Sequence, residues 1–225
     1  MTKFDYSHHD EILSNVFDKG ITVGLRLRFE GTIMRSRHPE DATRDLSKEI
    51  LDCEDNNGST HEILCSHLIL NEIVVDRGPN PTMSSTDLYA DDMFLTSIAA
   101  DGVCIATPSG STAYNLAAGG SLCHPELPGM LVTVICAHAL TFRPLIVPDN
   151  TVLRVAVPYC ARSTAWVSFD GRERTELRRG DYVSIVASRF PLPAVQLRKD
   201  NKDWFDSIKR IMNWGDRPQQ KGLAE

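Results

Sequence analysis

The chain has 225 residues, 42% of them hydrophobic and 24% charged, which suits one large globular domain or one and a half ordinary ones. A formal charge of −6 with no Lys/Arg block argues against nucleic acid as the main partner, because displacing phosphate counterions takes clustered cations. No apolar run reaches the ~20 residues of a membrane span, so no membrane partner is expected. The start, MTKFDYSHHDEIL, lacks the basic and apolar stretches of a signal peptide. Six scattered cysteines (Cys53, Cys65, Cys104, Cys123, Cys136, Cys160) form no C-x-x-C pair and sit mostly in apolar surroundings, which fits a reduced, cytoplasmic protein.

In chain order, residues 7–17, SHHDEILSNVF, are predicted to be a short helix. Ser7 and Asp10 resemble a capping box, and Ile12, Leu13, Val16 and Phe17 share a face. After Gly20 the period changes to 2, with Val23, Leu25, Leu27 and Phe29 alternating with Gly24, Arg26, Arg28 and Glu30 as in a half-buried strand. Residues 36–60 are polar and irregular, with a turn at Asn56-Asn57-Gly58-Ser59, and are expected to be a surface excursion between two strands.

From residue 61 short strand patterns follow one another: one or two in HEILCSHLILNEIVVDRG, a hairpin in MFLTSIAADGVCIATP, another in LVTVICAHAL, then TVLRVAV, TAWVSF, YVSIVAS and AVQLR. That cadence predicts a mainly β protein, a β-sandwich with a few short helices. Asp101-Gly102 and Asp170-Gly171 have the chemistry of two-residue hairpin turns. A C-terminal amphipathic helix in NKDWFDSIKRIMNW lines up Trp204, Phe205, Ile208, Ile211 and Met212, and GDRPQQKGLAE reads as a loose tail.

The stretch TPSGSTAYNLAAGG, residues 107–120, is the main candidate site. Pro108 ends a strand, Ser109, Gly110 and Ser111 form a loop, and Thr112 is placed to cap a helix beginning at Ala113. Such a helix start offers amides to a phosphate or a polar ligand edge. The rival reading is a capped strand-to-helix turn with no ligand. It is neither a P-loop nor a nucleophile elbow, because the required lysine and glycines are absent.

Asn71-Glu72 is a second candidate: a carboxylate and an amide together can hold a diol, provided a bulge or strand end lets both reach one ligand. The rival there is a polar pair on an exposed strand face. His61-Glu62 lacks the second histidine of H-E-x-x-H, and Cys65 and His67 have no further ligands at zinc spacing, so no metal site is expected. The adjacent Asp91 and Asp92 read as solvated.

Together, TPSGSTAYNLAAGG, NEIVVDRG at 71–78 and the Asp-Gly at 101–102 resemble the NAD kinase family. The likeness continues through CAHALTFRPLIVPDN, ARSTAWVSFDGRERTELRRGD, FPLPAV and KDWFDSIKRIMNW, in the manner of the eukaryotic, fungal-type branch, and covers residues 1 to about 217. It implies ATP-dependent phosphorylation of the adenosine ribose 2′-hydroxyl of NAD to give NADP, with Mg²⁺ accompanying ATP and no tightly bound cofactor. The family has an N-terminal α/β domain with a G-G-D-G motif and a C-terminal β-sandwich that often forms homo-oligomers.

This chain contains no G-G-D-G. The resemblance therefore makes residues 1–19 a helix following an absent N-terminal domain and 20–198 the NAD-binding sandwich. Residues 199–215 become a helix that packs back on the absent domain, and 216–225 a tail. It puts Asn71 and Glu72 at the nucleotide and its ribose, Asp101 near the nicotinamide carboxamide, Thr112, Ala113 and Tyr114 around the NAD, and Asp170 nearby. Ala117 stands where many members carry serine, the loss of a hydroxyl contact worth ~1 kcal/mol. Ala137 replaces a proline frequent among relatives. The catalytic aspartate belongs to the G-G-D-G motif, so no catalytic residue is assigned in this chain. The competing reading is a truncated, non-catalytic NAD-binding or oligomerisation module. A related lipid kinase fits NEIVVDRG and TPSGSTAY less well.

Overall fold

The computed structural model describes residues 6–20, 22–38, 43–51, 60–139, 141–196 and 202–215. By its internal contacts the chain divides into two units, residues 26–192 and residues 1–25 with 193–225. The turn expected at 56–59, the 216–225 tail and Cys53 lie outside the described residues.

The larger unit is a sandwich of two six-stranded antiparallel sheets. One sheet holds β2 (Phe29–Ser36), β3 (His61–Ile69), β5 (Ser84–Ala90), β6 (Met93–Ala100), β10 (Leu153–Ala156) and β13 (Tyr182–Ala187), ordered β3-β2-β13-β10-β5-β6. The other holds β4 (Glu72–Asp76), β7 (Gly102–Ala106), β8 (Gly129–Ile135), β9 (Leu145–Pro148), β11 (Ala165–Phe169) and β12 (Arg172–Leu177), ordered β12-β11-β4-β7-β8-β9. The mainly β, sandwich architecture expected from the strand cadence is therefore present. Alternation does the sorting: Phe29 and Ile33, Ile73 and Val75, Val103 and Ile105, and Val167 and Phe169 face one shared core between the sheets.

Two expectations are corrected. MFLTSIAADGVCIATP is not a hairpin, because β6 is an edge strand of the first sheet and β7 lies inside the second. Asp101 is the corner between sheets, and β6 pairs instead with β5. Gly102 is required there for close approach: a Cβ would lie 2.7 Å from Val75 O. The excursion after β2 carries a helix, α2 (Leu46–Leu51), whose Leu46 and Ile50 are buried with Tyr89, Ala156, Tyr159 and Tyr182. Asp170-Gly171 does form a two-residue turn between β11 and β12, with φ of 48° and 70°.

In the smaller unit, α1 (His9–Lys19) is followed by β1 (Thr22–Arg26), which pairs with β14 (Leu192–Gln196) as a two-stranded ribbon. Helix α4 (Lys202–Met212) buries Ile208 and Ser207, while Phe205 and Ile211 remain exposed.

Candidate functional site

The site is built where the chain crosses from one sheet to the other. β3 ends at Ile69 and β4 begins at Glu72, so Leu70 and Asn71 form a corner whose amides belong to no ladder. The Asp170 carboxylate satisfies them, accepting from the amides of Leu70 (2.9 Å), Asn71 (2.7 Å) and Glu72 (3.1 Å). Its own amide donates to Glu72 O at 2.9 Å.

Thr107 holds the other flank. Its amide donates to Asn71 O at 2.8 Å, its hydroxyl donates to Leu70 O at 2.6 Å, and the same hydroxyl accepts from the Gly110 amide at 3.0 Å. Gly110 packs so closely that a Cβ would fall inside the van der Waals shell of Asn71 O. The two sequence candidates, 71–72 and 107–114, are thus one locus. Asn71 and Glu72 meet it at a strand start, the condition that lets neighbouring residues share a site.

Past the corner the chain makes a 3₁₀ turn, Ser109–Thr112, and then a short helix, α3 (Tyr114–Ala117). The helix does not begin at Ala113, and Thr112 does not cap it; the Thr112 hydroxyl donates back to Ser109 O at 3.3 Å. The expected free amides are also engaged: Ala113 donates to Gly110 O, Ser111 to Pro108 O, and Tyr114 to the Glu72 carboxylate. Buried Asn115 fixes the loop to β8, donating to Ser111 O and Ser121 O and accepting from the Thr133 hydroxyl at 2.7 Å. Backbone geometry and side-chain hydroxyls, rather than an amide nest, shape this surface.

Glu72 is 7% exposed. Burial, and then the neighbouring Asp170 charge, push its carboxyl above the usual glutamate range, while the Tyr114 amide pulls it back. Its Oε2 has no hydrogen-bond partner, and neither does the buried Ser109 Oγ. Among the described residues these are the two buried side-chain polar atoms so placed, and both lie at this locus. Leaving such an atom unsatisfied costs about 1–3 kcal/mol, so the pair marks a place prepared for a hydrogen-bonding guest. Sequence reading placed Ser109 in the loop but did not assign it a ligand; its hydroxyl beside the strand-ending proline was the available signal.

Asp101 stands at the far end of the same strands. Glu72 pairs with Ala106 and Asp76 with Gly102, a span of four residues or ~13 Å at ~3.3 Å per residue. Tyr114 opens α3, at the loop flank of the site. Its hydroxyl is pushed up by burial and then by Cys104, Asp76, Cys136 and Asp101. Arg77 anchors Asp101 through Nε to Oδ1 at 3.0 Å and through its amide to Asp101 O. Ala117, one turn beyond Tyr114, is exposed and adds no hydroxyl. No group of three or more metal-ligating side chains occurs among the described residues.

Residues 70–197 match the family model described as the ATP-NAD kinase C-terminal domain. The chain is 42% identical over 224 residues to the NAD(+) kinase of Saccharomyces cerevisiae, covering all of this chain and 40% of that protein. It is 46% identical over 213 residues to an uncharacterized kinase of Schizosaccharomyces pombe, covering 94% of this chain and 36% of that one. A crystal structure of a yeast NADH kinase complexed with NADH superposes with a TM-score of 0.77 at 28% identity, over 97% of this chain and 56% of the other. The chain therefore spans between about a third and somewhat over half of the length of these relatives.

Proposed function

The chain belongs to the ATP-NAD kinase family, and from that membership we propose that it is the NAD-binding half of an enzyme that phosphorylates the adenosine ribose 2′-hydroxyl of NAD to give NADP. The carrying observation is the buried Glu72 Oε2 and Ser109 Oγ, both without a partner, at the junction of strand β4 and the 107–114 loop.

In this reading Glu72 accepts a hydrogen bond from a ribose hydroxyl and the Asn71 side chain supplies a second polar contact. Thr112, Ala113 and Tyr114 line the nucleotide, with Ala117 one turn further on. The strip along β4 and β7 leads to Asp101, which accepts from the nicotinamide carboxamide. Asp170 acts through the backbone it holds. ATP enters with Mg²⁺ as the phosphate donor. The ribose oxygen forms the new bond to the γ-phosphorus as the bond to the β,γ-bridging oxygen breaks, and the hydroxyl proton leaves to a base. Such transfer depends on positioning and on neutralising charge. The residues gathered at this corner supply positioning.

Cytoplasmic location and self-association through the sandwich belong to the same proposal. Exposed Phe94 and Leu95 on edge strand β6, and Leu145 and Ile146 on edge strand β9, support the second. No described helix is long and apolar enough to cross a membrane.

Calorimetry with NAD, run beside an NADP-forming assay with NAD, ATP and Mg²⁺, tests the proposal. The chain should bind NAD, and Glu72→Ala or Ser109→Ala should weaken binding by ~10-fold. Absence of saturable NAD binding would overturn the reading. NADP formation at the rate of an intact kinase would overturn the half-site assignment, and binding with no turnover at all would favour the non-catalytic module.

A further inference from the structure

Glu72 is a buried acid without a counter-ion. No Lys, Arg or His among the described residues pairs with it, and the charge that does reach it has its own sign. Asp170 stands across the corner, its carboxylate accepting from the Glu72 amide at 3.1 Å and its own amide donating to Glu72 O at 2.9 Å. Two carboxylates this close, with no cation between them, oppose each other's ionisation. Asp170 accepts from three amides, which stabilise its charge, whereas Glu72 is faced by the Tyr114 amide alone. Of the two, Glu72 is the one to hold a proton. From β7 the thiol of Cys104 adds no balancing charge, because burial and then Glu72 push it up to about 12. On β4 the next acid along the same face, Asp76, is paired with Arg174.

The proton has a definite seat. Oε2 has no partner, so the Tyr114 amide faces Oε1. A proton on Oε1 would point at that N–H donor, whereas Oε2 is open to it. Oε2 is also the acceptor that a ribose hydroxyl uses in the NAD reading, and an ionised carboxylate accepts such a bond more strongly than a neutral acid. Proton and hydroxyl compete for one atom.

We propose that at mildly acid pH Glu72 Oε2 carries a proton while the site is empty and releases it to solvent as the ribose hydroxyl takes its place. Only the carboxyl O–H bond breaks, leaving its electron pair on Oε2 as the proton passes to buffer. Resting on the NAD reading of the corner, this coupling adds its regulation: dinucleotide binding weakens as the surroundings acidify.

Calorimetry with NAD and the whole chain, near pH 5 and near pH 8 in buffers of small and large ionisation enthalpy, counts the protons. Near pH 5 the binding enthalpy should differ between buffers by the equivalent of roughly 0.5–1 proton released, and near pH 8 it should not differ. Affinity should be ~3–10-fold weaker at the lower pH. Glu72→Gln should bind NAD with one affinity at both pH values and show no buffer dependence. Equal enthalpies in all buffers near pH 5, proton uptake in place of release, or a buffer dependence that survives Glu72→Gln would overturn the coupling and leave NAD binding standing. Absence of NAD binding by the unmodified chain at either pH would sink the NAD reading instead, which keeps the two failures apart.

Discussion

Asp170 and Asp181 are two aspartates beside glycines in tight turns, and both collect backbone amides, at least one of them from a distant segment. Asp181 accepts from the amides of Arg178 (2.6 Å) and Ser36 (2.9 Å) and from Arg35 Nη1 (2.8 Å). Around it Ser36 Oγ bonds Tyr159 OH, Tyr159 OH donates to Glu49, Arg44 pairs with Glu49, and His61 Nε2 meets Gly180 O. Burial pushes the Asp181 carboxyl up against the pull of these donors. No buried polar side-chain atom in that network lacks a partner, whereas the corner held by Asp170 adjoins Glu72 Oε2 and Ser109 Oγ, which do. The capping chemistry is the same. A saturated network is complete as it stands and reads as architecture; an unsaturated one has room for a ligand.

Four substitutions sharpen or break that contrast. Asp181→Ala takes the acceptor from Arg35 Nη1 and from two backbone amides, leaving Arg35 only its bond to Glu176 O, and should cost about 3 kcal/mol, a fall in Tm of ~6–12 °C. NAD affinity per folded molecule, read by calorimetry below the transition, should not move; if it falls in step with stability, the two networks are not separate in kind.

Gly110→Ala forces the loop off Asn71 O and should weaken NAD binding ~100-fold, equivalent to ~2.7 kcal/mol, with a cooperative melt retained. An unchanged Kd would show that the approach of loop to corner is not needed for binding.

Thr107→Val removes the hydroxyl that joins Leu70 O to the Gly110 amide, and a ~10-fold loss of NAD affinity is expected. Thr107→Ser should restore it. Failure of serine to rescue would move the role from the hydroxyl to the methyl group.

Glu72→Gln has the smallest expected effect on stability and the opposite sign. Because burial raises this carboxyl, the native state holds its proton more tightly than the unfolded chain, so stability falls as pH rises from the ordinary glutamate value through the raised one. The amide removes that penalty. The variant should melt ~2–4 °C higher at pH 7, about 1 kcal/mol, and match the parent at pH values below the ordinary glutamate value, while binding NAD more weakly. A variant less stable at pH 7 would mean that Oε2 is not an unsatisfied atom.

Much of this was readable from local pattern. Short strand runs between turn signals marked β7, β10, β11 and β13, Asp170-Gly171 announced its turn, and the Trp204–Met212 stripe announced α4. β5, with the sequence SSTDLYA, was not recognised. Its buried Ser84 and Thr86 read as polar, although the neighbouring strands enclose them. α2 was hidden in a charged stretch because two apolar residues, Leu46 and Ile50, carry its burial. Asp101-Gly102 resembled a hairpin because a turn dipeptide specifies a reversal without specifying which strand receives it.

The sequence by itself determined where most strands fall, the family resemblance, and the residue types gathered at 71–72 and 107–114. Alternation and turn chemistry act over a few neighbouring residues and are written locally. Only the tertiary structure decided that Thr107 reaches back 37 residues to Leu70, that Asp170 reaches back 98 to 100 to hold the corner, and that Glu72 Oε2 and Ser109 Oγ are left without hydrogen-bond partners. Whether a buried polar atom is satisfied depends on what the finished packing sets beside it, and segments that far apart meet only once both sheets have closed on their shared core.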